Sequence, residues 1–321
     1  MRHHFKEVIL LERIALKSKH RQRPLPSAAP LHIAMVDGES FHGGMCDRFK
    51  GMISLYAYCE QRGVPFKIRH TFPFDLEDYL QPATYDWVLH DGEYTDNPLY
   101  CRVLYMRGEH YARRLLRLKA KRQIHFYTNR DLLPRINEAR SECHLDAYDW
   151  GELFRELFRP GTALQRRINE VKLTIDGEYD AAVFRFQNLL GDFKEYHFKA
   201  IADKAEAERL IEKCIDSVVQ LRDASPCKRL LVTSDSVTFL SRVSHLNGVH
   251  IVPGSLSHMD GAKLNDDTAK KFEVYLKSFV DFYMISQAQT VYRVGTPEMY
   301  ESEFPVYAAK VNNRPFKTVT I

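Results

Sequence analysis

Several patterns that would classify a chain of this size are missing from its 321 residues. No run of about 18 apolar residues occurs, which argues against a transmembrane helix. The six cysteines are scattered, form no Cys-x-x-Cys pair and have no zinc-type histidine spacing. Such cysteines are typical of reduced thiols rather than of a disulfide framework or a zinc site. We therefore expect a soluble, cytoplasmic protein without a metal site.

Four catalytic signatures are also absent. The sequence has no Gly-x-x-x-x-Gly-Lys-Ser/Thr phosphate loop, no Gly-x-Gly-x-x-Gly dinucleotide turn and no Gly-x-Ser-x-Gly nucleophile elbow. It also has no Asp-x-Asp, the pair that typifies metal-bridged nucleotide-sugar sites. These absences argue against P-loop NTPases, dinucleotide enzymes and serine hydrolases, and they favour chemistry that needs no bound metal.

Positive charge is concentrated at the N-terminus. Residues 1–23 hold seven Lys and Arg against two Glu, whereas the whole chain has a net charge of only +4. The remaining chain is therefore close to neutral, so a basic nucleic-acid-binding face is not indicated. Residues 1–30 are interpreted as a basic tail and linker, either a frayed segment or a weak anchor to an anionic membrane surface.

The rest of the chain alternates strand and helix patterns. Apolar residues make up 45% of the sequence, enough for two packed domains. Strand-length apolar runs recur between helical periodicities, which predicts an α/β fold with parallel sheets. We expect two doubly wound, Rossmann-like domains, an acceptor-side domain over 31–165 and a nucleotide-sugar domain over 166–321. Strands are predicted at 31–36, 64–69, 87–90, 123–128, 181–186, 229–233, 249–252, 290–293 and 316–319, and a basic helix at 103–119.

Ligands of such sheets bind at the carboxyl ends of the strands, so the loops there hold the candidate site residues. After the first strand, Gly43 and Gly44 form a turn at a helix start that suits an anionic group. Asp47 in this turn is either functional or the cap of that helix. In the second domain, Arg185 lies at the end of a buried strand, where its guanidinium suits a diphosphate or forms a structural pair, for instance with Asp192.

Further polar groups follow other strands of the second half. The segment 233–236 places Asp235 and Ser236 at a strand end, either to bind a ribose or base or to cap a helix. Asp281 lies in a mostly apolar helix, and Ser302 precedes Pro305 at a helix start that can accept an anion.

These segments resemble those of a known family. Residues 42–51 resemble the glycine-glycine-leucine-x-Asp/Asn-Arg-leucine turn of fucosyltransferase-like GT-B glycosyltransferases, with Arg48 as its arginine. Arg185 is similar to the arginine of the family's His-x-Arg motif, and 233–236 to its nucleotide-contacting segment. The family's terminal motif is resembled by Asp281, Ser286 and residues 302–304, which occur in the same order. The likeness spans about 31–321 and is greatest to bacterial members of surface polysaccharide synthesis.

The resemblance implies two domains that face each other across a cleft and an inverting, metal-independent transfer. The donor would be GDP-fucose and the acceptor a glycan hydroxyl, with no cofactor. Arg185 would neutralise the departing diphosphate, while Asp47 or Glu39, or else Asp192, would accept the acceptor proton. Donor contacts are implied for Gly43, Gly44, Arg48, Arg185, Asp235, Ser236, Asp281 and Ser302.

Two departures leave other functions open. Val183 stands where the family has its His, and Cys46 stands where it has a small residue or glycine, so the base of the donor nucleotide is left open while the expected fold is not. A non-catalytic sugar- or nucleotide-binding protein of polysaccharide assembly is the main alternative. A nucleic-acid-binding protein is the third, based on the basic tail and 119–122.

Aromatic residues over 70–110 can stack on acceptor sugars or belong to the core; they are Tyr79, Tyr85, Trp87, Tyr94 and Tyr100.

Overall fold

The computed structural model describes residues 30–40, 42–97, 100–106, 123–192, 199–254 and 268–321. The chain divides into two compact units, Met1–Arg159 and Pro160–Ile321. The predicted basic tail, most of the predicted helix over 103–119 and the basic cluster at 119–122 lie outside the described residues.

The first unit is built on a four-stranded parallel sheet. Its strands are β1 His32–Val36, β2 Phe66–His70, β4 Cys101–Tyr105 and β5 Gln123–Tyr127. The strand order is β2-β1-β5-β4, and all three neighbouring pairs are parallel. β1 and β5 are buried along their whole length, as expected for central strands covered on both faces. The carboxyl ends of β1, β2 and β5 therefore lie side by side.

Helices and a small second sheet complete the first unit. The helices are α1 Met45–Arg62, α2 Leu133–Glu142 and α3 Trp150–Leu157, with a short 3-10 turn at Leu76–Asp78. β3 Leu80–Pro82 pairs with β6 Phe158–Pro160 in a two-stranded sheet. α1 packs closely because Gly51 leaves room for the carbonyl oxygen of Thr128. It ends at Gly63, whose φ of 60° is in the left-handed region that suits glycine.

The second unit holds a five-stranded sheet of parallel strands. The strands are β7 Asp180–Phe184, β8 Leu230–Ser234, β9 Val249–His250, β10 Val291–Gly295 and β11 Phe316–Thr320. Their order is β11-β10-β7-β8-β9. β7 and β8 are completely buried, and Phe184 pairs in register with Ser234. The residues that follow these two strands are consequently neighbours.

Within its described residues, the second unit has five helices. They are α4 Thr162–Ile175, α5 Lys204–Ala224, α6 Val237–Val243, α7 Thr268–Ser286 and α8 Phe304–Val311. α5 and α6 pack their apolar residues on Ala182, Phe184 and Val232. α7 packs against α4 and α8. Burial of this much apolar surface is the main source of folding free energy.

The alternation of strands and helices confirms the predicted α/β class. Two local predictions were wrong. Residues 103–105 are the end of β4 rather than the start of a helix, and 87–90 contribute a single parallel bridge between Ile68 and Val88 rather than a strand. The pairing of β3 with β6 was not predicted, since strands of three residues carry too little periodicity.

The unit boundary falls six residues before the predicted one. The structure divides the chain after Arg159, whereas the sequence interpretation placed the junction after 165. The reason is that α4 packs on α7 and so belongs to the second unit from its first residue. Among the described helices, none combines the length and apolar character needed to cross a bilayer.

Candidate functional site

The glycine turn of the first unit begins α1. Gly43 has a φ of 73°, and a side chain there would overlap the carboxylate of Asp47. That carboxylate accepts a hydrogen bond from the N–H of Gly44 at 3.2 Å and pairs with Lys50 Nζ at 2.9 Å. Asp47 thus contributes to the cap of α1 from the first turn of the helix, whose N-cap residue is Gly44, and its cationic partner is Lys50.

Arg48 holds this turn against the end of β2. It is 3% exposed and donates to the carbonyl oxygens of Gly43 at 3.2 Å and Phe72 at 2.7 Å. Its guanidinium also lies 3.2 Å from Nε2 of His70. Burial, then the adjacent Arg48 charge, lowers the pKa of His70 to about 3, so this imidazole is neutral. The contacts of Arg48 fit a positioning role for the glycine turn.

A carboxylate that the sequence interpretation did not identify lies at the carboxyl edge of the first unit's sheet. Asp37 directly follows β1, and its Oδ2 accepts a hydrogen bond from the Tyr127 hydroxyl at 2.8 Å. Its Oδ1 accepts from the backbone N–H of Glu39 at 3.1 Å. Arg69 NH1 and His42 Nε2 lie 3.7 and 4.0 Å from the carboxylate. Asp37 could have been identified from the sequence, because it is an acidic residue immediately after a strand that is apolar enough to be buried.

In the second unit, Arg185 follows β7 and is held by Asp235, which follows β8. Arg185 NH1 lies 3.1 Å from Asp235 Oδ2, and the arginine side chain remains 24% exposed. Asp235 also accepts the backbone N–H groups of Phe186 at 2.8 Å and Gln187 at 2.7 Å. Burial raises the pKa of Asp235, while Arg185 and the two N–H groups oppose that rise. Asp235 therefore orients an arginine that still reaches solvent.

Asp192, one of the proposed partners of Arg185, has a different role. Its Oδ2 accepts from the Ser236 hydroxyl at 2.8 Å and from the N–H of Thr238 at 2.9 Å. The Ser236 hydroxyl also accepts from the N–H of Phe239 at 3.1 Å and caps α6. The predicted residues Asp192, Ser236, Asp235 and Arg185 are thus brought to one edge of the sheet.

Asp281 and Ser302 take part in separate networks. Asp281 is 4% exposed and forms an ion pair with Lys277 one turn earlier on α7. Burial raises the pKa of Asp281, and the Lys277 charge opposes the rise. Ser302 accepts from the N–H of Phe304 at 3.2 Å, and Pro305 lies in the first turn of α8. Ser302 thus lies at the N-terminus of a helix, where backbone N–H groups favour an anion.

Two aromatic residues proposed to stack on acceptor sugars belong to the core. Tyr79 and Trp87 are each 1% exposed, and Trp87 donates its indole N–H to the carbonyl oxygen of Leu157 at 2.7 Å. Tyr94 is stacked on His125 with a centroid separation of 5.0 Å. Tyr100 is 40% exposed.

The two α/β units, each built on a parallel sheet, form a fold that this chain shares with solved fucosyltransferase structures of the GT-B type. Solved structures of NodZ alpha-1,6-fucosyltransferase share this fold. The structure co-crystallized with GDP has a TM-score of 0.55 and 13% identity, over 88% of this chain and 92% of that chain. The structure soaked with GDP-fucose has a TM-score of 0.54 at the same identity and coverage. NodZ from Bradyrhizobium gives 0.54 and 13%, over 88% and 93%. No protein-family model and no curated protein matches the sequence.

Proposed function

We propose that this protein transfers fucose from GDP-fucose to a hydroxyl of a glycan acceptor, with inversion at the transferred carbon and without an obligatory metal. The observation that carries the proposal is Arg185, a part-exposed guanidinium at the carboxyl end of a buried strand. Its partner Asp235 fixes the direction of the fork. The fold supports the same proposal, since it is shared with NodZ structures solved with GDP and GDP-fucose.

The chemistry proposed for Arg185 is neutralisation of the leaving diphosphate. A planar guanidinium donates two parallel hydrogen bonds to phosphate oxygens, and such charge-assisted bonds are about twice as strong as neutral ones. Because Asp235 already holds the arginine, little side-chain freedom is lost when the diphosphate binds. The N-terminus of α8 beside Ser302 is proposed to add backbone N–H donors.

The other donor contacts implied by the resemblance take supporting roles in this proposal. Asp235 acts through Arg185, and Ser236 with Asp192 fixes the start of α6 beside it. Gly43, Gly44 and Arg48 shape the glycine turn of the first unit. The buried pair of Asp281 with Lys277 is proposed to border the nucleotide.

The experiment is a transfer assay with GDP-fucose, other GDP-sugars and UDP- and CMP-sugars against a panel of glycan acceptors. Formation of a fucosylated product, detected by mass spectrometry, is the expected result. Activity should persist in EDTA, because a cationic side chain and a helix terminus take the place of a metal. Product only from a UDP- or CMP-sugar, or activity that requires Mn²⁺ or Mg²⁺, contradicts the proposal.

A non-catalytic nucleotide-binding protein is the second candidate. It is favoured by Val183, an apolar residue 6% exposed, at the position where the resembling family has His. GDP binding without transfer from any nucleotide sugar would support this candidate.

A surface polysaccharide acceptor and a cytoplasmic location, at the membrane surface through the basic tail, complete the primary proposal.

A further inference from the structure

Asp37 is the carboxylate that the first unit presents at the carboxyl end of β1. β1 lies between β2 and β5, so residues following all three strands surround this position. The Asp37 side chain is 10% exposed. It is therefore largely, but not completely, shielded from bulk solvent.

Polar groups from three directions hold the Asp37 carboxylate in place. The Tyr127 hydroxyl, from β5, donates to Oδ2 at 2.8 Å, and the Glu39 N–H donates to Oδ1 at 3.1 Å. Arg69, from β2, approaches Oδ2 at 3.7 Å. His42 Nε2 accepts the N–H of Gly38 at 3.2 Å, so it is not a proton donor to Asp37 in that state. Burial, followed by the Asp37 charge, raises the pKa of Tyr127, so its hydroxyl keeps its proton.

Two of the other candidate carboxylates, those of Asp47 and Asp192, each hold the start of a helix. Asp47 caps α1 and pairs with Lys50 at 2.9 Å, and neutralising it would remove a cation partner as well as a cap. Asp192 holds the start of α6 through Ser236 and Thr238. Glu39 contributes its backbone N–H to Asp37. Asp37, by contrast, lies directly at the carboxyl end of β1, where the Tyr127 hydroxyl and the Glu39 N–H hold a carboxylate whose side chain is 10% exposed.

We propose that Asp37 is the catalytic base that accepts the proton of the acceptor hydroxyl, with Tyr127 as its positioning residue. This inference rests on the proposed function. The acceptor oxygen forms a bond to the anomeric carbon of fucose as the bond from that carbon to the phosphate oxygen breaks. The bonding electrons leave with GDP, and the acceptor proton moves to the Asp37 carboxylate.

The test compares Asp37→Asn with Asp47→Asn and with the matched control Asp75→Asn. Asp75 is exposed and makes no side-chain cap hydrogen bond. For each variant, kcat for transfer, the dissociation constant of GDP and the melting temperature are measured. We expect Asp37→Asn to lower kcat by about 10²-fold or more, the usual contribution of a general base. GDP affinity should stay unchanged, since Arg185, the group proposed to hold the diphosphate, is in the second unit.

A second variant makes the test independent of folding. Tyr127→Phe removes one donor to the carboxylate and should lower kcat with little change in the acceptor KM. If Asp37→Asn folds and keeps wild-type kcat, Asp37 is not the base. If Asp37→Asn does not fold, Tyr127→Phe decides, and wild-type kcat in that variant excludes Asp37 as the base. A larger loss in Asp47→Asn than in Asp37→Asn also overturns the proposal. Absence of transfer by the wild-type protein identifies a failure of the proposed function itself.

Discussion

At the scale of single residues, the proposed donor site depends on how Arg185 is held. Asp235 contacts it at 3.1 Å and is itself fixed by the N–H groups of Phe186 and Gln187. Gln187 has a φ of 52°, an uncommon conformation for a residue other than glycine, and its hydrogen bond to Asp235 stabilises it. The arginine therefore projects from a rigid strand end.

Replacing Arg185 with Lys separates diphosphate binding from folding. Lysine keeps the positive charge near Asp235 but lacks the planar fork, so GDP binding should weaken. Loss of one charge-assisted hydrogen bond costs about 1.5–3 kcal/mol, or roughly 10- to 150-fold in affinity. Calorimetric titration with GDP and urea unfolding measure the two quantities, with Arg209→Ala on the exposed surface as the control. Unchanged GDP affinity together with a large stability loss would make Arg185 a structural residue.

Several single residues could be predicted from the sequence because strand ends are predictable. Arg185 and Asp235 each follow a clear apolar run, and parallel pairing brings them together. Their contact with each other could not be predicted, since Asp192 and Asp235 were equally available and only the strand register selects between them. Asp37 was not predicted because the sequence interpretation assigned the functional groups of this loop to the glycines and Asp47 at the start of the helix.

At the scale of elements, α1 is the helix that organises the first unit. It begins at the Gly44 turn, packs on β1 and β2, and ends at Gly63. Its close approach to the segment after β5 depends on Gly51, where a side chain would overlap the carbonyl oxygen of Thr128. That contact is between helix and backbone, so neither partner can move away by a rotamer change.

Gly51→Ala should therefore destabilise the protein, although Ala normally favours a helix interior over Gly by about 1 kcal/mol. Overpacking at such a contact typically costs about 1–3 kcal/mol. Gly44→Ala is the matched control, because a side chain there meets no atom within 4 Å of the Cβ position. Urea unfolding of the two variants measures the difference. A gain in stability for Gly51→Ala would show that α1 is not packed as described.

Most elements could be predicted from sequence periodicity. Strands β1, β5, β7, β8, β10 and β11 lie within a few residues of their predicted positions. The mistakes fall where the signal was short or ambiguous. Basic residues at helical spacing extended the predicted helix backwards over β4, whose alternation of buried and exposed positions covers only five residues.

At the scale of the whole molecule, buried neutral histidines should make stability fall in acid. Burial lowers the pKa of His32 to about 4, and that of His70 and His125 to about 3, from an ordinary value of 6.5. The unfolded chain therefore takes up these protons first as the pH falls. The contribution of these neutral histidines to the free energy of unfolding is fully present above pH 6.5. It declines as the pH falls towards their folded-state pKa values.

Each of these histidines contributes a slope that approaches about 1.4 kcal/mol per pH unit below 6.5. Urea unfolding at pH 7 and pH 5 measures the loss, which should be smaller in His125→Gln. Glutamine can still donate to the Gln123 side chain that His125 contacts at 2.9 Å. His245→Gln, at an exposed position, is the control. Equal stability at pH 7 and pH 5 would contradict burial of neutral imidazoles.

The proposal that the second unit binds a GDP-sugar is tested most directly by ligand-dependent melting of the wild-type protein. The melting temperature is measured with saturating GDP, UDP, CMP and TDP. A ligand at 100 times its dissociation constant stabilises the native state by about 2.7 kcal/mol, enough for a clear shift. We predict the largest rise with GDP, reduced in Arg185→Lys. A larger rise with UDP or CMP, or none with GDP, would contradict the proposed donor.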